Sequence, residues 1–154
     1  MYYNQKIAVI GARQCDQRLY DLAEEMGNLL AMSGYAVICG GLGGVMEAVC
    51  KGAKTSNGLT IGILPGENPA DANPYVDIAI ATGMGISRNL IIIRSSAAVV
   101  AINGGFGTLS ELAFALQLQK PVIGIETWDV SDQIDCAVNP AEVVEKLHRH
   151  IGIR

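Results

Sequence analysis

Strand-length apolar runs that end at glycine and give way to helical spacing recur along this chain, and they restrict it to a parallel sheet covered on both faces. Residues 6–10 stop at Gly11, residues 35–39 at Gly40, and residues 97–102 just before Gly104. Residues 59–64 are closed by Pro65-Gly66, residues 76–81 precede Gly83, and residues 121–125 form a sixth run. The runs are continuously apolar rather than alternating, the pattern of strands buried on both faces. Between them, apolar residues recur at helical spacing: Leu19, Leu22, Ala23, Met26, Leu29 and Leu30, then Val45, Ala48, Val49 and Ala53, and later Leu109, Leu112, Ala113 and Leu116. Gly34 stands where a helix stops, and Asn139-Pro140 with Glu142 starts the last one, with Val143, Val144, Leu147 and Ile151 facing in. Residues 67–75 hold two prolines and read as a surface loop. The expectation is an α/β fold: one Rossmann-like domain over residues 1–154, a mostly parallel sheet of about six strands, helices on both faces.

Right-handed crossovers bring the C-terminal ends of such strands to one edge, where ligands bind. Gly11, Gly40, Gly41, Gly43, Gly44, Gly83, Gly85, Gly104, Gly105 and Gly107 all follow strand ends and are candidate ligand-binding positions. The densest stretch is Gly104-Gly105-Phe106-Gly107-Thr108-Leu109-Ser110-Glu111. Its glycines let the backbone turn tightly and approach a guest, and the helix start beyond offers unpaired N–H groups to an anion, most naturally a phosphate. Thr108 and Glu111 also have the spacing of a capping box, which would serve stability alone.

Other glycine chemistries do not match. A dinucleotide site needs GxGxxG after the first strand and an acidic residue closing the second; here a single glycine follows the first, and Cys39 ends the second. Lys54-Thr55 lacks the glycine of a P-loop, and no GxSxG elbow occurs. A net charge of −4 and scattered basic residues make nucleic acid an unexpected partner. Hydrophobic residues reach 50% and charged residues 17%, yet no apolar run approaches the ~18 residues that span a bilayer. The polar and aromatic opening of residues 1–6 lacks the order of a signal peptide, so a soluble cytoplasmic protein is expected. Cys15, Cys39, Cys50 and Cys136 have no metal-ligand or disulfide spacing, and His148 and His150 read as a helix end, so no metal site is expected.

Two side chains at glycine-rich helix starts carry chemistry: Arg88 and Glu111. A guanidinium suits a phosphate or a departing base, and a carboxyl group can stabilise positive charge on a ribose or activate water. Together they are parts for cleaving an N-glycosidic bond through an oxocarbenium-like transition state. Glu47 is a further carboxylate near the crevice, equally well explained by the dipole of the helix it starts.

The eight-residue stretch resembles the Pro-Gly-Gly-x-Gly-Thr-x-x-Glu signature of the cytokinin-activating nucleoside 5′-monophosphate phosphoribohydrolases, long mislabelled lysine decarboxylases. Gly40-Gly41-Leu42-Gly43-Gly44-Val45-Met46 is similar to their second glycine loop, and Arg88 falls at their arginine motif. The resemblance implies a Rossmann-like homodimer in which Arg88 and Glu111 are the catalytic pair and the glycine turns, with Asn89 and Thr108, hold a 5′-phosphate. No pyridoxal cofactor is implied, since no lysine lies in a glycine motif. Asn103 stands for the signature's proline and Asn89 for the usual lysine after the arginine. The compact chain is more similar to a bacterial branch near molybdenum cofactor carrier proteins and, more remotely, DNA-processing protein A.

Two functions follow. One is an enzyme needing no cofactor, which hydrolyses a nucleoside 5′-monophosphate to base and ribose 5-phosphate. The alternative is a non-catalytic carrier or sensor with the molybdenum cofactor, another pterin or a nucleotide as its ligand. Leu90-Ile91-Ile92-Ile93 is apolar around more of a helix than one sheet face needs, so a homodimer or higher homo-oligomer is expected.

Overall fold

β-Branched, continuously apolar segments form the centre of a seven-stranded, all-parallel sheet in the computed structural model, which describes residues 5–152. The strands are β1 (Lys6–Gly11), β2 (Ala36–Cys39), β3 (Thr60–Leu64), β4 (Ile78–Ala81), β5 (Ala98–Ile102), β6 (Val122–Ile125) and β7 (Ile134–Cys136), in the order β4-β3-β2-β1-β5-β6-β7. The helices are α1 (Gln17–Met32), α2 (Val45–Thr55), α3 (Arg88–Arg94), α4 (Phe106–Gln117) and α5 (Pro140–Ile151). Residues 1–4 and 153–154, including most of the opening stretch read for a leader, lie outside the described residues.

The pleat divides the core into two layers. Ile7, Val9, Val37, Val100 and Ile123 face α1, α2 and α5, whereas Ala8, Ile10, Ile38, Val99 and Ala101 face α3 and α4. Successive strands run outward from β1 through β2 and β3 to β4, then the chain returns through α3 to place β5 on the other side of β1. This reversal opens a crevice outside the C-terminal ends of β1 and β5.

Helix ends follow local chemistry. Asp16 Oδ1 accepts the N–H of Leu19 at 2.8 Å, and Gly34, at φ +81°, follows the C-terminus of α1. Asn139 Oδ1 accepts the Glu142 N–H, and Glu142 Oε2 accepts the Val138 N–H, each at 2.8 Å. Such caps contribute about 1 kcal/mol each.

The sheet has one strand more than the six expected. β7 is three residues long, Ile-Asp-Cys, with only Ile134 buried, so it carries no apolar run to find. The loop at 67–75 contains a 3-10 turn, Pro69–Asp71, in which Asn68 Oδ1 accepts the N–H of Ala70.

Candidate functional site

Arg88 opens α3 directly after a 3-10 turn, Gly85–Ser87, and is only 9% exposed. Its Nε donates to the Ile63 carbonyl at 2.9 Å, and a terminal nitrogen donates to Asn89 Oδ1. Gly40 gives this side chain its room: a Cβ there would lie 2.8 Å from a guanidinium nitrogen and 2.7 Å from Met46 Sδ. Asn89 Nδ2 donates to Ser110 Oγ at 3.2 Å, and that hydroxyl donates to the Gly107 carbonyl at 2.6 Å. The start of α3 is thereby tied to the start of α4. Both ends of the Asn89 amide are engaged within the protein.

At the other side, Gly104 has φ +109°, and a Cβ on it would fall 2.2 Å from Thr108 Oγ1. α4 begins at Phe106 with Gly105 as its N-cap, so Thr108 lies inside the first turn. The capping box read from the sequence therefore does not form: the helix starts too early for Thr108 to cap it. The N–H groups of residues 106–108 precede the first helical bond, from the Leu109 N–H to the Gly105 carbonyl at 3.0 Å. Gly105 and Gly107 differ from Gly104 in kind. Neither has a positive φ, and a Cβ on either would meet nothing within 4 Å. The fold does not require these two glycines, and they leave bare backbone at the helix start.

A strap from the β6–β7 loop fixes this turn. Thr127 Oγ1 donates to the Asn103 carbonyl at 2.8 Å, and Trp128 Nε1 to the Gly105 carbonyl at 3.1 Å. Phe106, 82% exposed, stacks on Trp128 with ring centroids 6.0 Å apart.

Glu111, one turn beyond Gly107, is 7% exposed, and its carboxyl group makes no hydrogen bond or ion pair with any described residue. Its oxygens nonetheless keep contact with solvent, because no fully buried side-chain oxygen among the described residues lacks a partner. Burial pushes its carboxyl up to about 8, while the nearby Arg88 charge pulls the other way. Burial lowers the Arg88 guanidinium, and Glu111 raises it. At neutral pH the site therefore holds a protonated carboxyl group beside a cation. Cys39, fully buried at the end of β2, lies within electrostatic reach of both groups; its Sγ lies 3.6 Å from that of Cys50 and accepts the Gly41 N–H at 3.4 Å. Hydrogen bonding from Cys50 lowers the Cys39 thiol and raises that of Cys50.

A cleft of about 330 Å³ is lined by Arg13, Leu42, Pro65, Gly66 and Asp71. Pro65 is two residues beyond the carbonyl that holds Arg88, and Leu42 follows Gly41. Gly83 and Gly85, at φ +62° and +57°, donate to the Gly66 and Pro65 carbonyls at 2.8 and 2.9 Å, tying their turn to the cleft wall. Gly43 and Gly44 support the loop after β1, where a Cβ would press on Arg13 and Ala12 backbone; a Cβ on Gly11 would strike Val45, and one on Gly41 would strike Leu64. Most of these glycines thus serve close packing around the crevice. Arg13 and Asp71 were not among the residues singled out from sequence. Arg13 carries a weak signal, two residues past Gly11; Asp71 carries none, because only the 3-10 turn brings it to the cleft. Glu47, by contrast, accepts the Tyr20 hydroxyl at 2.9 Å between α1 and α2.

Among the described residues no group of His, Cys, Asp and Glu could hold a metal ion, and no helix is long and apolar enough to cross a membrane.

The SLOG cluster4 family model matches residues 4–150. An uncharacterised protein of Archaeoglobus fulgidus is 45% identical over 90% of this chain and 91% of its own length. A cytokinin riboside 5′-monophosphate phosphoribohydrolase of Mycobacterium tuberculosis is 30% identical over 79% of this chain and 70% of its own. Among solved structures, the molybdenum cofactor binding protein of Rippkaea orientalis aligns with TM-score 0.85 at 38% identity, covering 94% of both chains. The molybdenum cofactor carrier protein of Chlamydomonas reinhardtii aligns with TM-score 0.87 at 31% identity, covering 96% of this chain and 99% of that one. DNA processing protein A of Helicobacter pylori, at 19% identity and TM-score 0.74 over 94% of this chain and 80% of its own, shares the fold.

Proposed function

The chain belongs to the SLOG cluster4 family, and on that premise we propose that it binds a phosphorylated nucleotide-like ligand at the strand ends and hydrolyses the N-glycosidic bond of a nucleoside 5′-monophosphate. The observation that carries this reading is Glu111: a carboxyl group nine-tenths buried, without a protein hydrogen bond, and beside Arg88. Burial of such a group is costly unless a guest uses it. The similarity to the Mycobacterium phosphoribohydrolase supports the same chemistry.

In this mechanism the 5′-phosphate sits on the bare N–H groups around Gly105 and Gly107, with Thr108 in the same first turn. Arg88 is pre-aimed by the Ile63 carbonyl and by Asn89, which acts as a positioning residue. Glu111 starts protonated and gives its proton to the departing base as the C1′–N bond breaks. The resulting carboxylate stabilises the oxocarbenium-like ribose, water adds at C1′, and the water's proton restores Glu111. Base and ribose 5-phosphate leave, with no cofactor consumed.

The test is release of free base from a panel of nucleoside 5′-monophosphates, followed by chromatography. Glu111→Gln should lower kcat by about 10²- to 10⁴-fold, with Arg88→Ala comparably impaired. Because the acid form is needed, the rate should hold below pH 8 and decline above it. Absence of base release from every substrate rejects the enzyme.

The second reading is a carrier whose cargo is the molybdenum cofactor or a related pterin phosphate. It is favoured by the alignments to the Rippkaea and Chlamydomonas proteins over nearly the whole chain. Cargo bound without turnover, and insensitive to Glu111→Gln, would be its signature.

A further inference from the structure

Two thiols meet in the core at the foot of the second glycine loop. Cys39 ends β2 and Cys50 lies in α2; both are fully buried, and their sulfurs stand 3.6 Å apart, at van der Waals contact. The Cys39 Sγ also accepts the Gly41 N–H at 3.4 Å. Between them in the chain, Gly40 backs onto the Arg88 guanidinium with no room for a Cβ. Among the described residues no third His, Cys, Asp or Glu joins the pair to make a metal site, so it stands as a dithiol. An S–H···S contact contributes little as a hydrogen bond, so what distinguishes this pair from two small apolar residues is its redox chemistry.

We propose that Cys39 and Cys50 are a redox modification site: hydrogen peroxide converts them to a disulfide that closes a loop over residues 40–49 and shifts the Gly40–Gly41 backbone against Arg88. Reaching an S–S bond of about 2.0 Å requires the sulfurs to approach by about 1.5 Å. Cys39 is the attacking sulfur, because the Gly41 N–H and the Cys50 thiol both hydrogen-bond to it and the Arg88 cation is within electrostatic reach. It attacks one peroxide oxygen; the O–O bond breaks, Cys39 becomes a sulfenic acid, and its proton leaves with the departing hydroxide as water. The Cys50 sulfur then attacks the sulfenic sulfur; the S–S bond forms, the S–O bond breaks, and the Cys50 proton goes into a second water. Both sulfurs are oxidised and one peroxide is reduced. Full burial excludes bulky disulfide oxidants, which is why so small an oxidant is required. The new bond alters the acceptor of the Gly41 N–H, and Gly40, already tight against Arg88, moves with it.

The test uses the whole protein carrying Cys15→Ser and Cys136→Ser, which leaves only the buried pair. Treatment with hydrogen peroxide, then denaturation and alkylation, should leave both thiols unlabelled and the intact mass lower by two hydrogens. A reductant should restore both, and peptide mapping of the peroxide-treated parent should find the same Cys39–Cys50 link. The Arg88 Nε–H, held by the Ile63 carbonyl, serves as an NMR reporter that should shift on oxidation and return on reduction. Cys50→Ala should show no reversible shift under the same treatment. Two alkylated thiols after peroxide, or a mass gain from added oxygen in place of the lost hydrogens, overturns the disulfide. A disulfide that leaves the Arg88 signal where it was overturns the link to the crevice and reduces the bond to a staple between β2 and α2. Each of these outcomes is independent of what the crevice binds.

Discussion

A carboxyl group held neutral by burial is a stability cost that appears as pH rises. Glu111 titrates near 4.5 in an unfolded chain and at about 8 in the folded one. Between those values the folded state keeps a proton that the unfolded state has released, so its stability is full below pH 4.5 and falls as pH climbs toward 8. Glu111→Gln has no such proton to lose. Its stability advantage over the parent, followed as melting temperature across pH, should be small at pH 5 and grow by roughly 3–4 kcal/mol by pH 8. A difference that stays constant with pH would mean that Glu111 finds a countercharge and titrates like a surface carboxylate. The same measurement with ligand present adds information, because a guest that accepts the Glu111 proton should narrow the gap.

At the scale of the element, the start of α4 contains glycines of two kinds. Gly104 is demanded by its φ of +109° and by the Thr108 side chain against it. Gly104→Ala should therefore destabilise by about 2 kcal/mol or more, from strain and overpacking together. Gly107 is helical and faces open space. Gly107→Ala should stabilise by about 0.5–1 kcal/mol, since glycine is the poorer helix former, while weakening binding of ribose 5-phosphate. Urea denaturation and a binding isotherm on both variants check the pair. Stabilisation without loss of binding would remove the phosphate from the α4 N-terminus.

For the whole molecule, the open edge of the sheet is the feature to explain. β7 closes one edge with a short strand, and Asp135 there pairs with Lys146 and His150. β4 at the opposite edge is different: Ile78 and Ile80 align with Ile61 and Ile63 but are each 46% exposed. Met84 and Ile86 extend the apolar surface, with Leu90 and Ile91 of α3 half-buried, whereas Ile92 and Ile93 are fully taken up by the core. An apolar edge of this kind invites a second copy. Light scattering should give the mass of a dimer or larger assembly, and Ile80→Lys should reduce it to one chain. A monomeric parent would reject self-association through this face.

The continuous apolar runs and the glycines after them determined the parallel sheet, its two-sided core and the edge at which the candidate site residues gather, because burial on both faces leaves a strand no polar alternation. They also made Arg88 and Glu111 legible, since each stands at a helix start behind a glycine turn. Tertiary structure decided the rest. Only packing buried Glu111 and left its carboxyl group without a protein partner, which turns an apparent capping residue into a carboxyl group held protonated by burial. Only the approach of Arg88 to Gly40 shows that this glycine makes room for an arginine. Asp71 and β7 escaped sequence reading because a 3-10 turn and a three-residue strand owe their place to neighbours that are distant in the chain, and carry no periodicity of their own.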